Sequence, residues 1–202
     1  MKLHGDLVME LPEFVPKSFC DHIINKFELH AIENPGVDNN NVSRFLEISG
    51  PEKWRSEDKD IRSFVKKAVN LYTKYIEEEY NFDQNTGTFQ SLVEWIKQEG
   101  LHDGGFIIQK RCEGFKGDWY CHDNRDPYNY IFGIIYLNTL EPSDDGTTEF
   151  LNGRKVKPEC GKIMIGPANW GYACRENVVN SGYRYSIIFK SYLNSYPPSD
   201  VI

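Results

Sequence analysis

From Gly105 onward the chain is written in short runs of aromatic and β-branched residues. They are FIIQKRC (106–112), WYCHDN (119–124), YIFGIIYLN (130–138), TTEFL (147–151), KIMIG (162–166) and YRYSIIFKSYL (183–193). Residues of these types suit a pleated, half-buried surface. Several such runs, each closed by turn residues, predict an antiparallel sandwich or barrel. PSDDGTTEF supplies one turn, and LNGRKV another: Asn152-Gly153 between apolar positions is a hairpin cue, because both residues tolerate positive φ.

Before Gly105 the period is different. In KSFCDHIINKFEL the apolar residues Phe19, Ile23, Ile24 and Phe27 fall on one helical face, with Ser18 as a candidate N-cap. SEDKDIRSFVKKAVNLYTKYIEEEY is the clearest helix. Ile61, Phe64, Val65, Ala68, Leu71, Tyr72 and Tyr75 repeat at three and four, and Ser56 is placed to cap it. FQSLVEWIKQEG predicts a shorter helix stopped by Gly100, and the stretch from Glu33 to Ser43 reads as a turn-rich loop. Helices followed by a β core give an α+β domain, with helices packed on one face of the sheet system. The expected division is a single domain over 1–202: a helical part at about 14–100, a β core at about 104–193, and a tail at 195–202.

Composition narrows the function classes. A formal charge of -7 argues against a nucleic-acid backbone or an anionic membrane as the main partner. No apolar run approaches the ~20 residues that a spanning helix needs. The five cysteines are odd in number and form no C-x-x-C pair, so free thiols and a cytoplasmic location are expected.

One stretch carries chemistry. Residues two apart on a strand share a face. A His and a carboxylate at i and i+2 can therefore hold one metal ion, and a second His from a distant strand completes a three-ligand face that leaves positions open for substrate and O2. His122 begins such a pattern on the WYCHDN run. Asn124 stands where the carboxylate belongs, and no His follows His122 anywhere in the chain.

Six segments stand in order: FVPKSFCDHIINKF (14–27), GFIIQKRCEGFKGDWYCHDN (ending at Asn124), IIYLN (134–138), DDGTTEF (144–150), VKPECGKIMIGP (156–167) and ACRENVVNSGYRYSIIFKSYL (173–193). In these motifs and their spacing the chain resembles the prolyl-4-hydroxylase-like branch of the iron(II)/2-oxoglutarate dioxygenases. The resemblance implies a double-stranded β-helix (jelly-roll) core, with iron(II) and 2-oxoglutarate as cofactors and a peptide or protein as substrate. It puts His122 at the first metal position, Asn124 at the second and Cys174 at the distal one. A register shifted by one residue aligns Cys121 and Asp123 instead, which makes Asp123 the alternative carboxylate. Arg184, ten residues after Cys174, is assigned the distal carboxylate of 2-oxoglutarate, with Tyr136 a second hydrogen-bonding partner. Trp170 is expected in the core or lining the pocket. Two readings follow: an oxygenase with a non-standard metal site, or a catalytically inactive binding module on the same scaffold.

Overall fold

The seven-stranded sheet at the centre of the computed structural model separates two hydrophobic cores. The structure describes residues 7–30, 36–37, 43–80, 101–122 and 129–193. In chain order these form β1 (Met9–Leu11), α1 (Lys17–His30), β2 (Gly36–Val37), β3 (Ser43–Glu47), a 3₁₀ turn (Glu52–Trp54), α2 (Arg55–Tyr80), β4 (Leu101–Cys112), β5 (Asn129–Tyr136), β6 (Thr148–Phe150), β7 (Lys155–Val156), β8 (Ile163–Pro167), a 3₁₀ turn (Trp170–Tyr172), β9 (Cys174–Glu176) and β10 (Tyr183–Leu193). The large sheet runs β1-β8-β5-β10-β4-β3-β2, the small one β7-β6-β9. All paired strands are antiparallel.

The period-two rule assigns the faces. On β5 and just beyond it, Ile131, Ile135 and Leu137 join a core with Cys20, Ile23 and Phe27 of α1 and Ile61, Val65, Ala68 and Tyr72 of α2. The alternate residues Phe132, Ile134 and Tyr136 join a second core with Phe150, Val156 and Cys174 of the small sheet. The helices thus cover one face of the large sheet, and the small sheet covers the other. This is the α+β, jelly-roll arrangement with helices on one face that the sequence predicts.

Local departures have local reasons. Helix α1 begins at Lys17, because the Pro16 carbonyl already accepts from the Phe19 and Cys20 N–H groups; Ser18 lies inside the helix rather than at its cap. Helix α2 continues directly from the preceding 3₁₀ turn, so Ser56 is likewise internal. Leu71, assigned to the buried face, is exposed. The stretch from Glu33 to Ser43 contains part of a strand pair, Gly36 opposite Phe45 and Val37 opposite Arg44. The Asn152-Gly153 hairpin forms as expected: Gly153 has φ +83° and the Phe150 N–H donates to the Arg154 carbonyl at 2.9 Å. The helix expected near 89–100 and the tail lie outside the described residues. No helix among the described residues is long and apolar enough to cross a membrane, and all five cysteines are free.

Candidate functional site

The site lies between the two sheets, and strand parity puts it there. Arg184 opens β10 directly opposite Arg111 of β4, so the two side chains leave the same face. Two positions on, Ser186 pairs with Tyr136 at the end of β5. From the small sheet, β9 contributes Cys174 and Glu176, again two apart and on one face.

His122 does not stand on a strand. The segment before it touches β9 and the residues beyond at uneven intervals. Gly114 N–H donates to Val179 O, Gly117 N–H to Glu176 O, and Tyr120 exchanges both bonds with Cys174, at 2.8 to 3.0 Å. Spacing of this kind makes a single bridge at Tyr120 and no ladder. His122 follows in a turn and packs inward, 4 % exposed. Its ring lies flat on Phe132, centroids 3.8 Å apart, and meets the Tyr120 ring edge-on at 4.7 Å. Burial, helped by the Lys190 charge, lowers its pKa to about 3, so the imidazole is neutral at ordinary pH.

Cys174 is fully buried. Burial pushes its thiol up to about 12 against the opposing pull of a hydrogen bond with the Tyr120 hydroxyl. Tyr136 is also fully buried, its hydroxyl 2.7 Å from Thr148 Oγ1, and burial raises its pKa. The Arg184 guanidinium lies over the Tyr136 ring, 5.7 Å from the centroid. Of the residues singled out from sequence, His122, Tyr136, Cys174 and Arg184 therefore converge on one interior. Asn124 and Asp123 lie outside the described residues. Trp170 is 80 % exposed on its 3₁₀ turn, neither core nor lining.

The structure adds residues that sequence reasoning missed. Arg184 has no solvent exposure. Its Nη1 donates to the Gly146 carbonyl at 2.8 Å and its Nη2 to Glu176 Oε1 at 2.7 Å. The other oxygen of Glu176, Oε2, accepts from Arg111 Nε at 2.6 Å. Arg111 also donates to Ser43 Oγ and to Gln109 Oε1. Burial would raise the Glu176 pKa, but the Arg184 and Arg111 charges and hydrogen bonds outweigh it and hold the carboxyl below its usual range. The one signal in the sequence was spacing: Glu176 follows Cys174 by two, so any strand there carries it inward as well.

For a metal ion, no three His, Cys, Asp or Glu side chains among the described residues assemble to hold one. For 2-oxoglutarate, Arg184 is already engaged inside the protein, Nη1 by the Gly146 carbonyl and Nη2 by Glu176, so an incoming carboxylate meets one that is already in place. Among the described residues, which leave out Asp123 and Asn124, no metal cluster forms, and the Arg184 site already holds a carboxylate of the chain.

No protein-family model and no curated protein matches the sequence. Solved structures do match in fold. A prolyl hydroxylase from Trichoplax adhaerens, solved with a hypoxia inducible factor oxygen degradation domain peptide fragment, has a TM-score of 0.67 at 13% identity, covering 95% of this chain and 86% of that one. The viral collagen prolyl hydroxylase of Paramecium Bursaria Chlorella virus-1, in its 2-oxoglutarate complex, gives 0.61 at 13% identity over 95% and 98%. HygX from Streptomyces hygroscopicus, with nickel and 2-oxoglutarate bound, gives 0.60 at 7% identity over 93% and 83%. The chain has the fold of the prolyl hydroxylases and related 2-oxoglutarate oxygenases.

Proposed function

We propose that this chain is a cytoplasmic, single-domain binding protein built on the prolyl-hydroxylase fold, and that it does not turn over 2-oxoglutarate. The observation that carries the reading is the place of Tyr120. Its ring edge rests on His122 and its hydroxyl is hydrogen-bonded with Cys174. Tyr120 meets both candidate ligands, so a metal ion shared by His122 and Cys174 would have to displace its contacts with each. The ligand for such a module is an extended peptide or protein segment, the class seen in the Trichoplax complex.

A second reading is favoured by a specific observation. His122, Tyr136 and Arg184 still converge inside a fold whose relatives hold 2-oxoglutarate. On that reading the chain is an oxygenase whose iron is held by His122, Cys174 and Asn124, with Asp123 as the alternative. The iron would supply O2 activation, and the protein residues would orient 2-oxoglutarate and exclude water.

Metal analysis of protein purified without oxygen, followed by succinate release from 2-oxoglutarate, separates the two. The binding reading expects neither tight iron nor succinate from the wild type. Iron-dependent succinate release would overturn it. The variant Asn124→Asp, Cys174→His, combined with Tyr120→Ala to remove those contacts, is expected to gain iron affinity. No gain in a folded variant would show that these positions do not face a common point.

A further inference from the structure

We propose that Glu176 is a resident ligand: its carboxylate occupies the anion subsite formed by Arg184 and Arg111, and so closes that subsite to any free carboxylate. This deepens the reading of the chain as a non-turnover binding protein and rests on it for the identity of the pocket.

Electrostatics of the large sheet demands an anion here. Arg184 and Arg111 are direct cross-strand partners, and like charges directly opposite destabilise a sheet. Arg184 is wholly buried and the Arg111 side chain is 14% exposed. A buried guanidinium without a counter-charge is costly. Glu176, its side chain 2% exposed, gives one oxygen to each arginine. One carboxylate between two cations leaves the trio with a net charge of +1. The arrangement is therefore made for a carboxylate, and the chain provides its own.

The backbone holds that carboxylate in place. Glu176 pairs with Thr148 of β6 on one side. On the other side the Gly117 N–H donates to its carbonyl at 2.9 Å. A Cβ at position 117 would lie 3.2 Å from Glu176 N and 3.3 Å from its Cβ, so glycine permits the close approach that locks the residue from that side. Glu176 can leave the arginines only by side-chain rotation within a packed interior. A free carboxylate must compete with one that is covalently attached and already desolvated, and a tethered ligand acts at an effective concentration in the ~mM range or above. The Arg184 Nε–H, buried and without a partner among the described residues, is the remaining donor of the subsite.

The test is calorimetric titration of metal-free protein with 2-oxoglutarate, and with succinate as a second dicarboxylate. The wild type is expected to show no saturable binding. Glu176→Ala removes the resident carboxylate and leaves both arginines, and it is expected to bind dicarboxylates about a hundredfold tighter or more, given the strength of the tethered competitor. Arg184→Lys in that background is expected to abolish the gain. Saturable binding to the wild type, or no gain in a folded Glu176→Ala, overturns the proposal. Glu176→Gln keeps the volume and one acceptor. If the alanine variant does not fold, the same carboxylates are expected to raise the melting temperature of the glutamine variant and not that of the wild type; an equal effect on both overturns the proposal. If neither variant folds, titration of the wild type with dicarboxylate up to about 1 mM, no higher than the ~mM effective concentration of the tether, decides the matter: saturable binding there overturns the proposal. Binding without succinate release overturns this inference and leaves the functional reading standing, whereas iron-dependent succinate release overturns the functional reading.

Discussion

Two buried carboxylates, Glu57 and Glu176, each bridge two nitrogen-bearing side chains, and they stabilise very different parts of the molecule. Glu57 sits near the start of α2 and ties it to α1. His22 Nε2 lies 2.8 Å from one oxygen and Lys26 Nζ 2.8 Å from the other. His22 is 56% exposed and Lys26 20%, so water can take over for either partner. Glu176 joins two strands of the large sheet to the small one; of its partners Arg184 is sealed and Arg111 is 14% exposed. The same chemical device is a replaceable clasp between helices in one place and an irreplaceable counter-charge in the other. What differs is access to solvent, because water screens and solvates whatever the protein leaves unpaired.

The sharpest way to break the comparison is to delete each carboxylate. Glu176→Ala, measured by chemical denaturation without added carboxylate, is expected to cost about 3–5 kcal/mol, since it leaves the fully buried Arg184 guanidinium uncompensated beside Arg111. Glu57→Ala is expected to cost about 1–2 kcal/mol, because its partners reach water. Equal losses would mean that burial of the partners does not set the difference. Gly117→Ala is expected to destabilise by about 1–3 kcal/mol through overpacking against Glu176.

A smaller effect is expected in acid. Burial would raise the Glu57 pKa, but the hydrogen bonds from Lys26 and His22 outweigh it and bring it from 4.5 down to about 2. The folded state therefore holds this proton more weakly than the unfolded chain does. The stability it contributes is complete above about pH 4.5 and is lost as the pH falls toward 2. Glu57→Gln should flatten that part of the stability profile, and an unchanged acid limb would assign it to other groups. Smallest of all, Lys17→Ala removes an exposed pair with Asp21. No change in melting temperature is expected, and a clear drop would show that exposure is a poor guide to these pairs.

The alternation in YIFGIIYLN was enough to divide Ile131, Ile135 and Leu137 from Phe132, Ile134 and Tyr136, and the two cores fall on that division. The three-and-four repeat from Ile61 to Tyr75 located α2, apart from the exposed Leu71. The caps were less legible. Ser18 and Ser56 have capping chemistry, but Pro16 and the 3₁₀ turn before Arg55 start the helices earlier. Strand β9 was hidden because Cys-Arg-Glu has no apolar alternation; its pairing comes from Thr148 and Tyr120, which are distant in sequence.

By itself, then, the sequence determined the periods, the turns and the order of the elements, because these are set by neighbours along the chain. It also carried the identities of His122, Cys174, Tyr136 and Arg184, which the fold brings into one interior. Only the tertiary structure decided what those residues meet there. Tyr120 meets two candidate ligands, His122 and Cys174, and Glu176 stands against Arg184. Both depend on which strands lie side by side, a long-range pairing that no local pattern encodes. The availability of a buried arginine is settled by the atoms around it, and in this protein the atoms include the chain's own carboxylate.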